Sequence, residues 1–305
     1  MTITQLEYFL AVVNHGSFST AAEHCFVTQP SLSMQISNLE DELGVILLDR
    51  TQKPIAPTEA GSVVLAQAKN AVAAFYGTKE TVCNLKGEFS GKLRLGVIPT
   101  ISPYLLPRLV PEFVKRCPKA DLEVRDMFTL DIVDALNRDM IDVAILAGGY
   151  QIKIREFNLF EDKLFFYVSP KNEFYESKSI DIKDIDITQL IMLSEGNCMR
   201  HQVLKIFCKP KMHIKSKYNF ANSSLDTLMH MVDVTNTITV IPEMAINYIP
   251  KERHKQIKPF DKIHASRKIT MAVGRTYVKE SLVNALRESV MTVAEEFAVE
   301  RFVRS

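Results

Sequence analysis

Apolar residues recur at helical spacing through the first sixty positions. Leu6, Phe9, Leu10 and Val13 stand at i, i+3, i+4 and i+7, which predicts an amphipathic helix ended by His15-Gly16-Ser17. Thr20-Ala-Ala-Glu23 has capping-box spacing and predicts the start of a second helix, with Ala21, Ala22 and Cys25 facing inward. A tight turn at Val27-Thr28 leads to a third helix, capped by Thr28 or Gln29, with Pro30 tolerated in its first turn. Leu32, Ile36, Leu39 and Leu43 form its buried stripe, and Gly44 stops it. Leu47–Arg50 and Ile55–Pro57 are short enough to pair as a two-stranded wing.

From Thr58 to about Lys86 one long helical pattern follows, with Leu65, Ala68, Val72, Phe75 and Val82 at heptad-like spacing. Two readings are open: a dimerising helix, or a plain amphipathic helix packed on its own domain. The stretch from Gly87 to Gly91 reads as a hinge. Beyond it, strands and helices alternate. Strands are expected at Leu93–Val97, Leu122–Val124, Ile141–Leu146, Lys163–Ser169, Leu190–Leu193, Ile238–Ile241 and Lys268–Val273. Helices are expected at Leu105–Arg116, Asp131–Arg138 and Leu282–Phe297. That alternation predicts α/β layers with mainly parallel sheets.

Composition adds limits. Of 305 residues, 47% are apolar and 24% charged, the balance of a globular protein with a sizeable core. No apolar run approaches the roughly 18 residues of a membrane span, and no secretory pattern opens the chain. A cytoplasmic protein is expected, without a membrane partner. Five cysteines in a reducing compartment do not form a structural disulfide framework. Net charge is +1 overall, but residues 1–60 carry seven acids against Arg50 and Lys53, a balance of −5.

Helix, tight turn, helix is the arrangement that sets a second helix in the DNA major groove. The solvent side of the third helix carries Gln29, Ser31, Ser33, Met34, Gln35 and Asn38, side chains able to bond base edges or touch a thymine methyl. An ordinary solvated helix would show the same pattern. The motifs go further. Leu6-Glu-Tyr-Phe9, Gly16-Ser-Phe-Ser-Thr-Ala-Ala22, Thr28-Gln-Pro-Ser-Leu-Ser33, Glu42-Leu-Gly44, Leu48-Asp-Arg50 and Pro57-Thr-Glu-Ala-Gly61 closely resemble the LysR-type transcriptional regulators.

The resemblance implies a winged helix-turn-helix at 1–58, a linker helix and hinge at 59–90 that dimerises, and an effector domain at 91–305. That domain is expected as two α/β lobes like a periplasmic binding protein, lobe I at 91–162 and 267–305, lobe II at 163–266. DNA contacts carried over from the family fall on Gln29, Pro30, Ser31, Ser33 and Gln35, with Arg50 and Lys53 in the wing. The implied partners are pseudo-palindromic double-stranded DNA, further copies of the chain in a tetramer, and RNA polymerase. With two bases per module, phosphate contact must lean on neutral donors and helix N-termini.

The effector half is similar to the hydrogen-peroxide sensors of this family, the OxyR branch. The resemblance rests on the segment from Gly96 to Pro107, on Met192-Leu-Ser-Glu-Gly-Asn-Cys-Met-Arg-His-Gln202 and on Ser224-Leu-Asp-Thr-Leu228. It implies that Cys198 is the peroxide-reactive cysteine and Cys208 the resolving one. It implies, too, that Thr100, Thr129, Asn219 and Arg267 line the peroxide pocket, and that a reductant such as glutaredoxin or thioredoxin reverses the switch. Register at Arg267 is open by one residue, because Lys268 follows. No cofactor and no enzymatic turnover are expected.

Two departures stand out. The cysteines are ten apart, one more than in the enterobacterial sensors, and Asn219 replaces a histidine. By its residues alone, Cys198 reads equally as a small buried hydrophobe or as a reactive thiol. For the reactive reading, Gly196-Asn197 sets the thiol at a helix N-terminus, and Arg200 and His201 add positive charge within a turn. Other readings are a zinc site of Cys198, His201, Cys208 and His213, whose spacing fits no common framework, a metabolite-responsive LysR regulator with incidental cysteines, and a thiol peroxidase. Cys25, Cys83 and Cys117 are expected to be structural.

Overall fold

The computed structural model describes residues 1–85, 89–148, 154–207, 224–274 and 279–304. The chain divides into two compact units, Met1–Phe89 and a larger one built on Ser90–Gly274 and Leu282–Ser305.

The first unit starts with three helices, α1 (Ile3–His15), α2 (Phe18–His24) and α3 (Gln29–Leu43). Thr2 caps α1 in a full capping box with Gln5. Gly16 follows at φ 64°, the left-handed conformation that ends the helix without strain, and Ser17 then caps α2 through the Thr20 amide. The Thr20–Glu23 spacing misplaced this start by three residues, because a serine just past the glycine caps first. Thr28 caps α3, Pro30 lies in its first turn and Gly44 ends it at φ 69°, as read from the residues. Leu6, Phe9, Val12, Ala21, Ala22, Leu32, Ile36 and Leu39 form one buried core.

The wing pairs β1 (Leu48–Asp49) with β2 (Ala56–Pro57), antiparallel. Helix α4 (Glu59–Leu85) departs from it. A Cβ on Gly61 would lie 2.0 Å from the Leu47 carbonyl oxygen, so only glycine lets α4 start this close to the wing. The heptad-like stripe divides. Leu65, Ala68 and Val72 pack on the helix-turn-helix core, while Phe75 and Val82 stay exposed. Tyr76 donates a hydrogen bond to Glu7 and so ties α4 to α1; that bond and partial burial push the phenol up to about 12.

In the second unit, β3 (Ser90–Val97) runs parallel to β4 (Lys119–Asp126) and to β5 (Val143–Ala147). Helices α5 (Ser102–Arg116) and α6 (Thr129–Asn137) connect them. The long strand β6 (Arg155–Val168) pairs along its first part with β9 (Ser266–Val273), which also borders β5. From Leu164 onward β6 pairs instead with β7 (Ile238–Pro242) and β8 (Ile257–Pro259). Helices α7 (Cys198–Phe207), α8 (Leu225–Val234) and α9 (Glu243–Ile246) accompany this second part, and α10 (Glu280–Arg304) follows β9.

The α/β class is as expected, but the sheet is mixed rather than mainly parallel. Among the strands of the described residues, the two pairings of β3 are parallel, and those of β9 and β6 are antiparallel. Strand β6 alone is shared between the two parts of the sheet, and it runs against β9 in the first and against β7 and β8 in the second. Leu190–Leu193 is not a strand; Leu190 makes a single bridge to Ile238. No helix among the described residues is long and apolar enough to cross a membrane.

Candidate functional site

In the first unit, Gln29, Pro30, Lys53 and Met34 are exposed, and Ser31, Ser33 and Gln35 half-exposed, on and beside α3. Two of the expected DNA contacts also have internal partners. Gln35 Oε1 accepts from Gln5 of α1 at 3.3 Å. Arg50 donates to Glu40 at 2.9 Å and to Ser37 at 3.3 Å, and lies 5.3 Å from the Phe18 ring centroid. Glu40 also accepts from the Leu47 and Leu48 amides, at 2.8 and 3.2 Å. It therefore fastens the wing to α3 while neutralising Arg50. Asp49 holds the wing turn through Thr51 and Gln52, which lower its carboxyl below the usual range. Several of the surplus acids in this segment thus serve the fold. Cys25 packs partly against this core, and burial raises its thiol.

In the second unit, four elements bring polar side chains to one buried point. Cys198 is the first residue of α7 and 2% exposed. Asn197 Oδ1 accepts from the Met199 amide at 3.1 Å, and Gly196 precedes it at φ 87°, so the chain turns sharply to present the thiol inward. Thr100, in the turn between β3 and α5, and Thr129, first residue of α6, are both buried with hydroxyls facing the thiol. The Thr129 hydroxyl has no regular hydrogen bond. Arg267 enters from β9, buried, and donates to Thr100 Oγ1 at 2.9 Å and to the Thr100 carbonyl at 3.1 Å. Its neighbour Lys268 is exposed.

The charge near the thiol differs from the expectation. Arg200 turns away and donates to the Leu193 carbonyl at 3.1 Å, and His201 is exposed. Successive residues of a helix point in different directions, so adjacency in sequence misled. Burial pushes the Cys198 thiol up; Arg267, the two threonine hydroxyls and the Met199 amide pull it part of the way back. Sequence reasoning missed Asp162 altogether. It faces Arg267 across β6 and β9, and its carboxylate accepts the Arg267 Nε at 2.9 Å. Exposed Glu161 and Lys163 flank it in β6, so the local pattern carried no signal that Asp162 is buried. Tyr104 of α5, also unforeseen, donates to Asp226 of α8 at 3.1 Å, and its carbonyl accepts from Tyr248 at 2.9 Å.

Cys208, His213 and Asn219 lie outside the described residues. Among the described residues no cluster of three or more metal-ligating side chains occurs. Cys117, buried at the end of α5, has its thiol raised by burial.

Residues 3–62 match the bacterial regulatory helix-turn-helix protein model of the lysR family, and residues 86–295 match the LysR substrate binding domain. The chain belongs to the LysR family of regulators. Within it, the chain is 34% identical over 254 residues to the hydrogen peroxide-inducible genes activator of Dickeya chrysanthemi, covering 83% of this chain and 82% of the relative. It is 33% identical over 256 residues to the DNA-binding transcriptional dual regulator OxyR of Escherichia coli, covering 84% and 82%. A full-length OxyR variant from Pseudomonas aeruginosa has a similar structure, with TM-score 0.77 and 28% identity, covering 95% of this chain and 94% of that one.

Proposed function

We propose that this chain is a cytoplasmic transcriptional regulator, not an enzyme, that senses hydrogen peroxide through Cys198. The observation that carries the reading is a buried cysteine ringed by Thr100, Thr129 and Arg267, in a chain whose relatives are named for peroxide-inducible genes. Cys198 as thiolate attacks one peroxide oxygen; the O–O bond breaks, the S–O bond forms, and the leaving hydroxide takes a proton to become water. Thr100 and Thr129 hold the peroxide, Arg267 supports the departing negative charge, and Asn219 completes the pocket. The sulfenic acid then condenses with the Cys208 thiol, releasing a second water and leaving a disulfide. A dithiol reductant of the glutaredoxin or thioredoxin class returns both thiols.

The switch follows from length. Ten residues of helix span about 15 Å, and a disulfide needs Cα atoms within roughly 7 Å. Helix α7 runs from Cys198 to Phe207, so pairing with Cys208 requires it to unwind. Closing such a loop changes chain entropy by about 3 kcal/mol, less than the roughly 5.5 kcal/mol that inverts a 1:99 population. The covalent step therefore drives the change.

In this reading residues 1–58 read DNA, 59–90 pair subunits, and the lobes 91–162 with 267–305 and 163–266 form the sensor. Gln29, Pro30, Ser31, Ser33 and Gln35 meet base edges and backbone, with Arg50 and Lys53 at the flanking phosphates. A tetramer occupies pseudo-palindromic half-sites and engages RNA polymerase. Footprinting on the chain's own promoters tests this: peroxide should change the wild-type footprint and leave that of Cys198→Ser unchanged. A peroxide-dependent change in Cys198→Ser would remove Cys198 from the attacking role.

A further inference from the structure

We propose that Asp162 is a positioning residue that claims the Arg267 guanidinium as its own counter-charge and thereby sets how readily the Cys198 thiol ionises. The idea rests on Cys198 being the reacting thiol. Both side chains of the pair are fully buried; Asp162 Oδ2 accepts from Arg267 Nε at 2.9 Å and lies 2.9 Å from Nη2 in an ion pair. The other carboxylate oxygen accepts from the Met244 amide at 3.2 Å. Asp162 is thus held from both sides, by the Nε–Nη2 edge of the guanidinium at Oδ2 and by the Met244 amide at Oδ1. Arg267 also donates to Thr100, from Nη1 to the hydroxyl at 2.9 Å and from Nη2 to the carbonyl at 3.1 Å. A single bonded chain runs from the backbone of α9 through Asp162, Arg267 and Thr100 to the thiol.

Among the described residues, Arg267 from β9 is the charge that faces Cys198. Asp162 of β6 stands behind it, with Tyr104 of α5 and Asp226 of α8 beyond. Tyr104 is pushed up by burial and by Asp226, and so stays neutral. A buried cation favours a nearby thiolate in proportion to its uncompensated charge. Here that charge is largely spent on Asp162. The register adds a second role: Asp162 opposes Arg267 two residues before β6 changes partners at Leu164, so the pair pins the strand crossing to the sensor pocket.

The test uses the reduced full-length chain and reads alkylation of the Cys198 peptide by iodoacetamide across pH, with mass spectrometry separating it from the other cysteines. In the wild type the midpoint should lie at or above that of free cysteine, about 8.5. Asp162→Asn keeps the size and removes the charge. It should lower the midpoint and raise the alkylation rate at neutral pH about tenfold, the consequence of one pH unit. Asp162→Glu, which keeps the charge, should stay near the wild type. A folded Asp162→Asn with an unchanged profile overturns the proposal. So does a wild-type midpoint below about 7, which decides the matter alone if the variant does not fold. If the midpoint moves as stated while peroxide leaves Cys198 unmodified, the sensor reading falls and the control of the thiol by Asp162 stands.

Discussion

At Phe26, between α2 and α3, two unfavourable features coincide. Its backbone sits at φ 56° and its ring is 95% exposed. A non-glycine residue in this region costs roughly 1–2 kcal/mol, and an exposed phenyl ring recovers none of it by burial. Phe26→Gly should therefore stabilise the first unit, by about 1 kcal/mol after the extra chain entropy of glycine is counted. Thermal unfolding of the full chain checks this; a fall in the first unit's transition temperature would show that the ring makes a contact worth more than the strain. Other residues show what sequence reading can and cannot reach. Thr28, Pro30 and Gly44 were legible because caps act within a few positions along the chain. Glu40, Asp162 and Arg200 were not, because their roles depend on what the fold sets beside them. The count of seven acids in residues 1–60 was legible as well, but not that Glu40 staples the wing and Asp49 its turn.

The elements were read best where one periodicity spans one environment. Helices α1 and α3 each bury a single stripe, and their positions follow from it. Strand β6 was recognised only from Lys163, because its first part is half-exposed and lacks a continuous apolar run. Leu190–Leu193 misled for the opposite reason: four apolar residues are buried in an irregular segment, and a short apolar run does not by itself mean a strand. Helix α7 carries the proposed switch at this scale. Met199 and Val203 are buried beneath it, so unwinding must expose or repack them. Hydrogen exchange after peroxide treatment should show loss of protection along α7, with β5 unchanged. Full α7 protection in a sample shown to contain the disulfide would contradict the unwinding step.

At the scale of the whole molecule, the chain joins a DNA-reading unit whose bases are few to a sensor unit whose reactive group is buried. In the proposed reading the first unit meets DNA chiefly through neutral side chains on α3, since Arg50 is already paired with Glu40. In the same reading the second converts a chemical event at Cys198 into a change in a helix. Its α/β class was legible from the alternation of strands and helices. Its mixed sheet was not, because strand direction depends on which strands return between the two parts, and the pattern along the chain carries no such information. The account stands or falls on one covalent fact. Reduced full-length protein is treated with stoichiometric hydrogen peroxide, digested without reductant, and its peptides are assigned by mass spectrometry. The account predicts a Cys198–Cys208 disulfide that dithiol reductant removes, and in Cys208→Ser a sulfenic acid at Cys198 instead. Oxidation confined to Cys25, Cys83 or Cys117, with Cys198 untouched, would contradict it.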